Sequence, residues 1–189
     1  MLIFAGLGNP GGKYALHRHN VGFMALDAIH DVHGFAPWSR KFQGELSAGN
    51  LGGQRVVLLK PQTFMNESGR SIGEAMRFYR SEPAEVVVFY DELDLAPFKV
   101  KAKLGGGAAG HNGIRSTIAH IGPDFHRVRL GIGHPGHKDR VTGHVLGNFA
   151  KAEMDELADM LGAVAAEAHW LAEGDAARFM SDVALRMQG

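Results

Sequence analysis

The sequence contains no cysteine. Disulfides, thiolate nucleophiles and cysteine-ligated metal sites are therefore excluded, and a reducing compartment fits. It also has no net charge, because 20 Lys and Arg offset 20 Asp and Glu. No stretch approaches the roughly 18 consecutive apolar residues of a membrane helix. Residues 1–12 lack the basic start, long apolar run and small-residue cleavage site of a signal peptide. A cytoplasmic protein without a membrane partner is expected. What remains is a chain of 189 residues, 45% hydrophobic, enough for one sizeable core and hence one domain over residues 1–189.

The zero total conceals an uneven distribution. Residues 1–95 carry 9 basic and 10 acidic side chains, residues 96–151 carry 9 and 2, and residues 152–189 carry 2 and 8. The middle segment is thus +7. Such asymmetry points to a polyanionic partner on one face, with a solvated basic face as the plainer alternative.

Residues 2–8 form a short apolar run closed by glycines, which predicts a buried strand entering a loop. From His19 to His33 the apolar residues fall at helical spacing, with Gly34 as the stop. Residues 42–51 and 54–60 flank Gly52-Gly53, a hairpin signal, and 63–80 return to helical periodicity. Val86 to Tyr90 is the clearest buried strand. Residues 98–103 alternate, 111–121 are helical, 126–132 are extended, and 134–148 show no firm period. Two helices separated near Gly174 close the chain, with acidic outer faces. This order predicts an α/β single-domain sandwich with a central mixed β-sheet flanked by helices.

Gly6-Leu7-Gly8-Asn9-Pro10-Gly11 formally matches the dinucleotide fingerprint. The match fails in context, since loop residues follow Gly11, and Asp27 and Asp31 lie within a helical pattern rather than at a strand end. Asn9 instead offers an amide at the carboxyl end of the first strand, where ligands of open α/β sheets bind. Taken alone it reads more readily as an Asn-Pro turn. His19 stands where the first helix begins, so the helix dipole disfavours its charged form. A neutral imidazole is what a general base requires, and Asp91, directly after the Val86–Tyr90 strand, is a carboxylate able to orient it. Against this stands the ordinary surface histidine, of which an eleven-histidine chain has many. His17 and His19 lack a third-ligand pattern, so no metal and no cofactor are expected.

Two further segments bear Asn at element boundaries: residues 63–69, with Phe64, Met65 and Asn66, and the Gly-rich residues 105–113, with His111 and Asn112. The second leads into a helix whose free N–H groups can receive a phosphate. Lys99, Lys101 and Lys103 alternate on one strand-like run, and Arg127 and Arg129 on another. If the two runs are neighbours, a basic face borders the Gly-rich loop and would position a nucleic acid without reading its sequence.

These segments resemble the bacterial peptidyl-tRNA hydrolases. The resemblance rests on Gly6 to Gly11, Tyr14, Arg18 to Gly22, Lys60 to Asn66, Asp91 to Leu95, Gly110 to Gly113 and Phe125 to Gly136, in the family's order over most of the chain. It implies release of the peptide from peptidyl-tRNA by ester hydrolysis, without cofactor or metal, by a monomer with no obligate protein partner. It implies His19 as proton acceptor, Asp91 as its stabiliser, and Asn9 as the group that distinguishes a blocked from a free amino group. Tyr14, Phe64, Met65, Asn66, His111 and Asn112 would contact the substrate near the tRNA end. Lys101, Lys103 and Arg129 would hold phosphates, and the 134–148 segment would act as a movable cover.

Two departures stand out. His17 occupies a position where the family usually has Thr, and Ala108-Ala109 stand where a His-Gly pair is common. An RNA-binding module that had lost hydrolysis would be expected to lack the base or its partner, and both are present. A nucleotide-dependent reductase would be stabilised by NADH.

Overall fold

A computed structural model describes all 189 residues. The elements in chain order are β1 (Leu2–Gly6), α1 (Val21–His33), β2 (Ser39–Lys41), β3 (Gly44–Leu51), β4 (Gln54–Pro61), α2 (Ser68–Tyr79) and β5 (Val86–Glu92). There follow β6 (Val100–Leu104), α3 (Asn112–Ile121), β7 (His126–Gly131), α4 (Val141–Val145), α5 (Met154–Ala172) and α6 (Ala176–Gln188). The seven strands form one sheet in the order β2-β3-β4-β1-β5-β7-β6. Strands β4, β1, β5 and β7 run parallel, while β2, β3 and β6 join antiparallel, so the sheet is mixed as expected.

Alternation along the strands divides the core in two. Phe4, Val87, Phe89, Val128 and Leu130 face α1, α5 and α6, whereas Ile3, Ala5, Val57, Val88 and Tyr90 face α2 and α3. The central strands are apolar on both faces because both are covered, which is why they read as continuous hydrophobic runs. Gly52 and Gly53 both take positive φ, the conformation a two-residue hairpin between β3 and β4 requires.

The structure differs from the sequence reading at element edges. His19 lies in a single 3-10 turn, Arg18–Asn20, and α1 begins at Val21. Likewise α2 begins at Ser68, after a 3-10 turn over Met65–Glu67. The short edge strand β2, with every residue exposed, carried no apolar alternation to reveal it. Within 134–148, a turn at Lys138–Arg140 leads into α4. No helix is long and apolar enough to cross a membrane.

The glycines of the opening motif serve helix packing. A Cβ at Gly6 would collide with the Gly22 carbonyl, one at Gly8 would press on the Phe23 ring at 2.7 Å, and one at Gly22 would sit 2.6 Å from the Leu7 nitrogen. The start of α1 therefore lies directly on the backbones of β1 and β5, which brings His19 to the end of β5. Gly22→Ala should cost about 1–3 kcal/mol by overpacking, because α1 must lift away from β1 and β5. Chemical denaturation checks this; an unchanged stability would contradict it.

Candidate active site

Asp91 belongs to the parity of β5 that faces α1, and it stands at the carboxyl end of the strand with 3% of its surface exposed. A buried carboxylate needs hydrogen bonds or it is strongly destabilising. It receives one from each side of the sheet. His19 Nδ1 donates to Oδ2 at 2.8 Å from the turn that opens α1, and His111 Nε2 donates to Oδ1 at 2.8 Å from the head of α3. The two imidazole rings lie 5.0 Å apart, centre to centre.

His111 is also the N-cap of α3. Its Nδ1 accepts from the backbone N–H groups of Gly113 at 3.1 Å and Ile114 at 3.2 Å. Those two bonds assign the ring proton to Nε2, which is the proton Asp91 receives. Asp91 in turn fixes the proton of His19 on Nδ1, leaving Nε2 with an open lone pair. His19 and Asp91 line a cavity of about 520 Å³ shared with Lys103, residues 107–112, His134, Lys138 and α4.

Burial alone would raise the pKa of Asp91. The two histidines bonded to it, His111 and His19, outweigh burial and hold the carboxyl well below the usual carboxylate range. Beside it Tyr90 meets the His111 ring edge-on, at 5.1 Å, and burial pushes the phenol up to about 12, so its hydroxyl stays protonated.

Asn9 is fixed by three hydrogen bonds. Its N–H donates to Asn20 Oδ1 at 2.9 Å, its carbonyl accepts from Asn20 Nδ2 at 2.8 Å, and its Oδ1 accepts from the Met65 N–H at 2.7 Å. The Asn9 amide group therefore presents Nδ2 outward, as a donor. Met65 packs against Gly113, where a Cβ would lie 2.5 Å from the Met65 sulfur. A continuous circuit results: Asn9, Met65, Gly113, His111, Asp91, His19, Asn20 and back to Asn9.

Phe64 is 62% exposed, and Asn66 and Asn112 are exposed at the heads of their helices, Asn112 accepting from Arg115 at 3.1 Å. Tyr14 stands one turn before His19 and meets His17 edge-on at 5.3 Å, so the unusual His17 packs on Tyr14, while the ring beside His19 is that of His111. The two basic runs are indeed neighbours, with Lys101 opposite Arg129 and Lys103 opposite Arg127. Lys101 and Lys103 are exposed and Arg129 is partly so.

One reading needs correction, that of Arg127, and the structure adds a constraint on His111. Arg127 is wholly buried, donating to the carbonyls of Gly106, Gly107 and Pro123 under the Phe125 ring, so it anchors the Gly-rich loop and cannot meet a phosphate. Both nitrogens of His111 are engaged within the protein, so His111 can offer a substrate its ring face but no ring N–H. In the Gly-rich loop Ala109 holds φ at 47°, a conformation glycine adopts more readily. Asn20, buried and joined twice to Asn9, was overlooked although it follows His19 directly. The segment after the cavity is tied to the residues before His19 by Arg18 N–H to the Gly147 carbonyl at 2.9 Å and Phe149 N–H to the Leu16 carbonyl at 3.1 Å.

His19, Asp91 and His111 each bring one nitrogen or oxygen within 4.8 Å of the others, a donor set whose residue types can hold a cation. The hydrogen-bond pattern accounts for their orientation in another way, since each ring points a proton-bearing nitrogen at the carboxylate.

A carboxylate-locked imidazole beside a cavity, at the carboxyl ends of parallel strands, is able to accept a proton, an arrangement that suits an α/β enzyme with acid–base chemistry. The sequence comparisons narrow the class, for the peptidyl-tRNA hydrolase family model matches residues 3–188, and the chain belongs to that family. It is similar to the peptidyl-tRNA hydrolase of Erythrobacter litoralis, 73% identical over 188 residues with 100% of both chains covered. The Sphingopyxis alaskensis enzyme of the same name is 68% identical over 189 residues, again with both chains covered in full. Among solved structures, peptidyl-tRNA hydrolase from Acinetobacter baumannii superposes with a TM-score of 0.91 at 39% identity, over 97% of this chain and 94% of that one.

Because the Asp91 carboxyl is depressed in the folded protein, the stability it contributes is present above the unfolded-state value of about 4 and fades as pH falls below it. The stability difference between wild type and Asp91→Asn should therefore be largest near neutrality and shrink on acidification from pH 5 to 3. Urea denaturation across that range checks the direction; a difference that grew on acidification would contradict it.

Proposed function

We propose that this protein hydrolyses the ester linking a peptide, or an N-blocked aminoacyl group, to tRNA, releasing both, with His19 as the general base. The observation that carries the reading is the Asp91-locked Nδ1 of His19, which leaves Nε2 as an acceptor facing the cavity. Family membership and the names of the full-length relatives support hydrolysis of peptidyl-tRNA as the reaction.

In this mechanism a water hydrogen-bonded to Nε2 gives up its proton as its oxygen attacks the ester carbonyl. Asp91 steadies the imidazolium that forms and keeps the ring in its tautomer. The leaving group is a ribose hydroxyl, which takes the proton back from His19 as the tetrahedral intermediate collapses. No nucleophilic side chain and no metal are required.

Asn9 Nδ2 is the donor for the substrate carbonyl or the developing oxyanion. Because its Oδ1 is engaged by Met65, Asn9 presents N–H rather than an acceptor, which is unfavourable toward a free ammonium group. This gives a physical basis for preferring a blocked amino group. Tyr14, Phe64, Met65, Asn66 and Asn112 contact the substrate near the acceptor end, and His111 positions Asp91. Lys101, Lys103 and Arg129 bind phosphates, and the 134–148 segment covers the cavity. The protein works as a cytoplasmic monomer without an obligate protein partner.

Replacing His19 with Ala should lower kcat by about 10²–10⁴ while tRNA affinity is retained. Hydrolysis of purified peptidyl-tRNA, with free aminoacyl-tRNA as control, tests this, and normal turnover by the variant would refute it. Separately, Lys103→Ala should weaken tRNA binding and reduce the slope of log K against log salt by about 0.7–0.9. An unaltered slope would remove Lys103 from the phosphate contacts.

A further inference from the structure

A second cavity, of about 600 Å³, is bounded by Pro10, the residue after Asn9, and by the ends of β2, β3 and β4, and it has no role in the chemistry above. Pro10 and Gly44 apart, its lining residues carry polar or charged side chains: Arg40, Lys41, Gln43, Glu45, Gln62 and Thr63. The sheet order explains its position. Strands β1 and β4 end at this edge, β3 begins there and β2 ends there, so the cavity opens at the same edge of the sheet as Asn9 and Asp91. The basic strands β6 and β7 lie at the opposite end of the order, beyond β5.

If phosphates are held on the β6–β7 side and the ester lies at His19, the acyl group must leave the centre toward β4, β3 and β2. This step rests on the peptidyl-tRNA reading given above. Counted from Asn9 at the end of β1, the proposed donor to the ester carbonyl, β2 is three strand spacings away, about 14 Å at ~4.8 Å each. An extended peptide covers that distance in about four residues.

We propose that this cavity is a subsite for the upstream part of the peptide, and that it favours an acidic side chain about four residues before the ester. Glu45 lines the same cavity opposite Arg40 across the β2–β3 pair, but its carboxylate is directed to Lys60 at 3.5 Å and Arg40 forms no ion pair, so the two cations Arg40 and Lys41 face a single, already paired acid. The Lys41 ammonium rests 4.0 Å from the centre of the Phe78 ring, held in place but not neutralised. Thr63, also in the lining, keeps its Oγ1 buried and without a hydrogen-bond partner.

The far wall is a hydrogen-bonded turn. Phe42 and Gln43 form the β2–β3 turn with φ of 55° and 53°, positions that glycine or asparagine would fill more easily. The turn is held by Gln62 N–H to the Gln43 carbonyl at 2.9 Å and by Gln43 Nε2 to Glu74 at 3.0 Å.

The test uses three substrates on one tRNA: an N-acetyl-aminoacyl group, a peptide with Glu four residues before the ester, and the same peptide with Lys there. Wild type should show a KM about three- to tenfold lower for the Glu peptide than for the Lys peptide, as expected of a partly exposed charged contact. In the double variant Arg40→Ser, Lys41→Ser that ratio should fall to near one, with the loss confined to the Glu peptide. A wild-type ratio of one overturns the proposal. So does an equal loss on all three substrates, which would place Arg40 and Lys41 on the tRNA. Wild type inactive on every substrate would overturn the peptidyl-tRNA reading and this subsite together.

Discussion

The Asp91 carboxylate sits at the edge of the sheet where two helical layers meet, and it holds a histidine from each. His19 reaches it from the α1 layer and His111 from the α3 layer, both at 2.8 Å. Hydrogen bonds to a charged group contribute about 1.5–3 kcal/mol each, and a buried carboxylate deprived of them would be costly. The same pair of bonds that makes Asp91 tolerable in the interior also fixes the tautomer of His19. Stability and chemistry thus depend on one group. The close approach of Gly22 to Leu7 and Phe89 makes it reachable, and the two backbone N–H groups received by His111 commit the second ring.

Around this centre the strand order separates the groups. The basic side chains Lys101, Lys103 and Arg129 lie on β6 and β7, Asp91 on β5 with His19 just before α1, the Asn9 amide after β1, and the polar cavity at the ends of β4, β3 and β2. The zero net charge is thus a sum of opposites: the +7 segment contributes the basic side chains of β6 and β7, while the acidic residues of α5 and α6 cover the opposite face of the sheet. Interaction with phosphate depends on where charge stands more than on its sum.

The alternation of strands and helices was legible because apolar periodicity reports burial, and here both faces of the central strands are buried. The mixed character of the sheet was legible from the Gly52-Gly53 hairpin. Strand β2 was not, since three exposed residues at an edge leave no pattern. His19, Asp91 and Asn9 could be nominated from their positions at element ends, and the resemblance of whole segments assigned them roles. The double use of His111 was hidden, because a cap and a carboxylate partner are both tertiary relations. Arg127 misled for a related reason: alternation placed it on the face of Arg129, but the Gly-rich loop folds over it and takes up its guanidinium with three carbonyls. Periodicity shows which face a side chain occupies, but not what covers that face.

The most direct test of the account is the protonation pattern of the His19 ring, measured by nitrogen-15 NMR on histidine-labelled protein at neutral pH. Asp91 should hold the proton on Nδ1, giving an Nε2 resonance typical of a bare acceptor, and Asp91→Ala should release that preference. A His19 ring protonated on Nε2 in the wild-type protein would contradict the account, because the nitrogen facing the cavity would then have no lone pair with which to activate water.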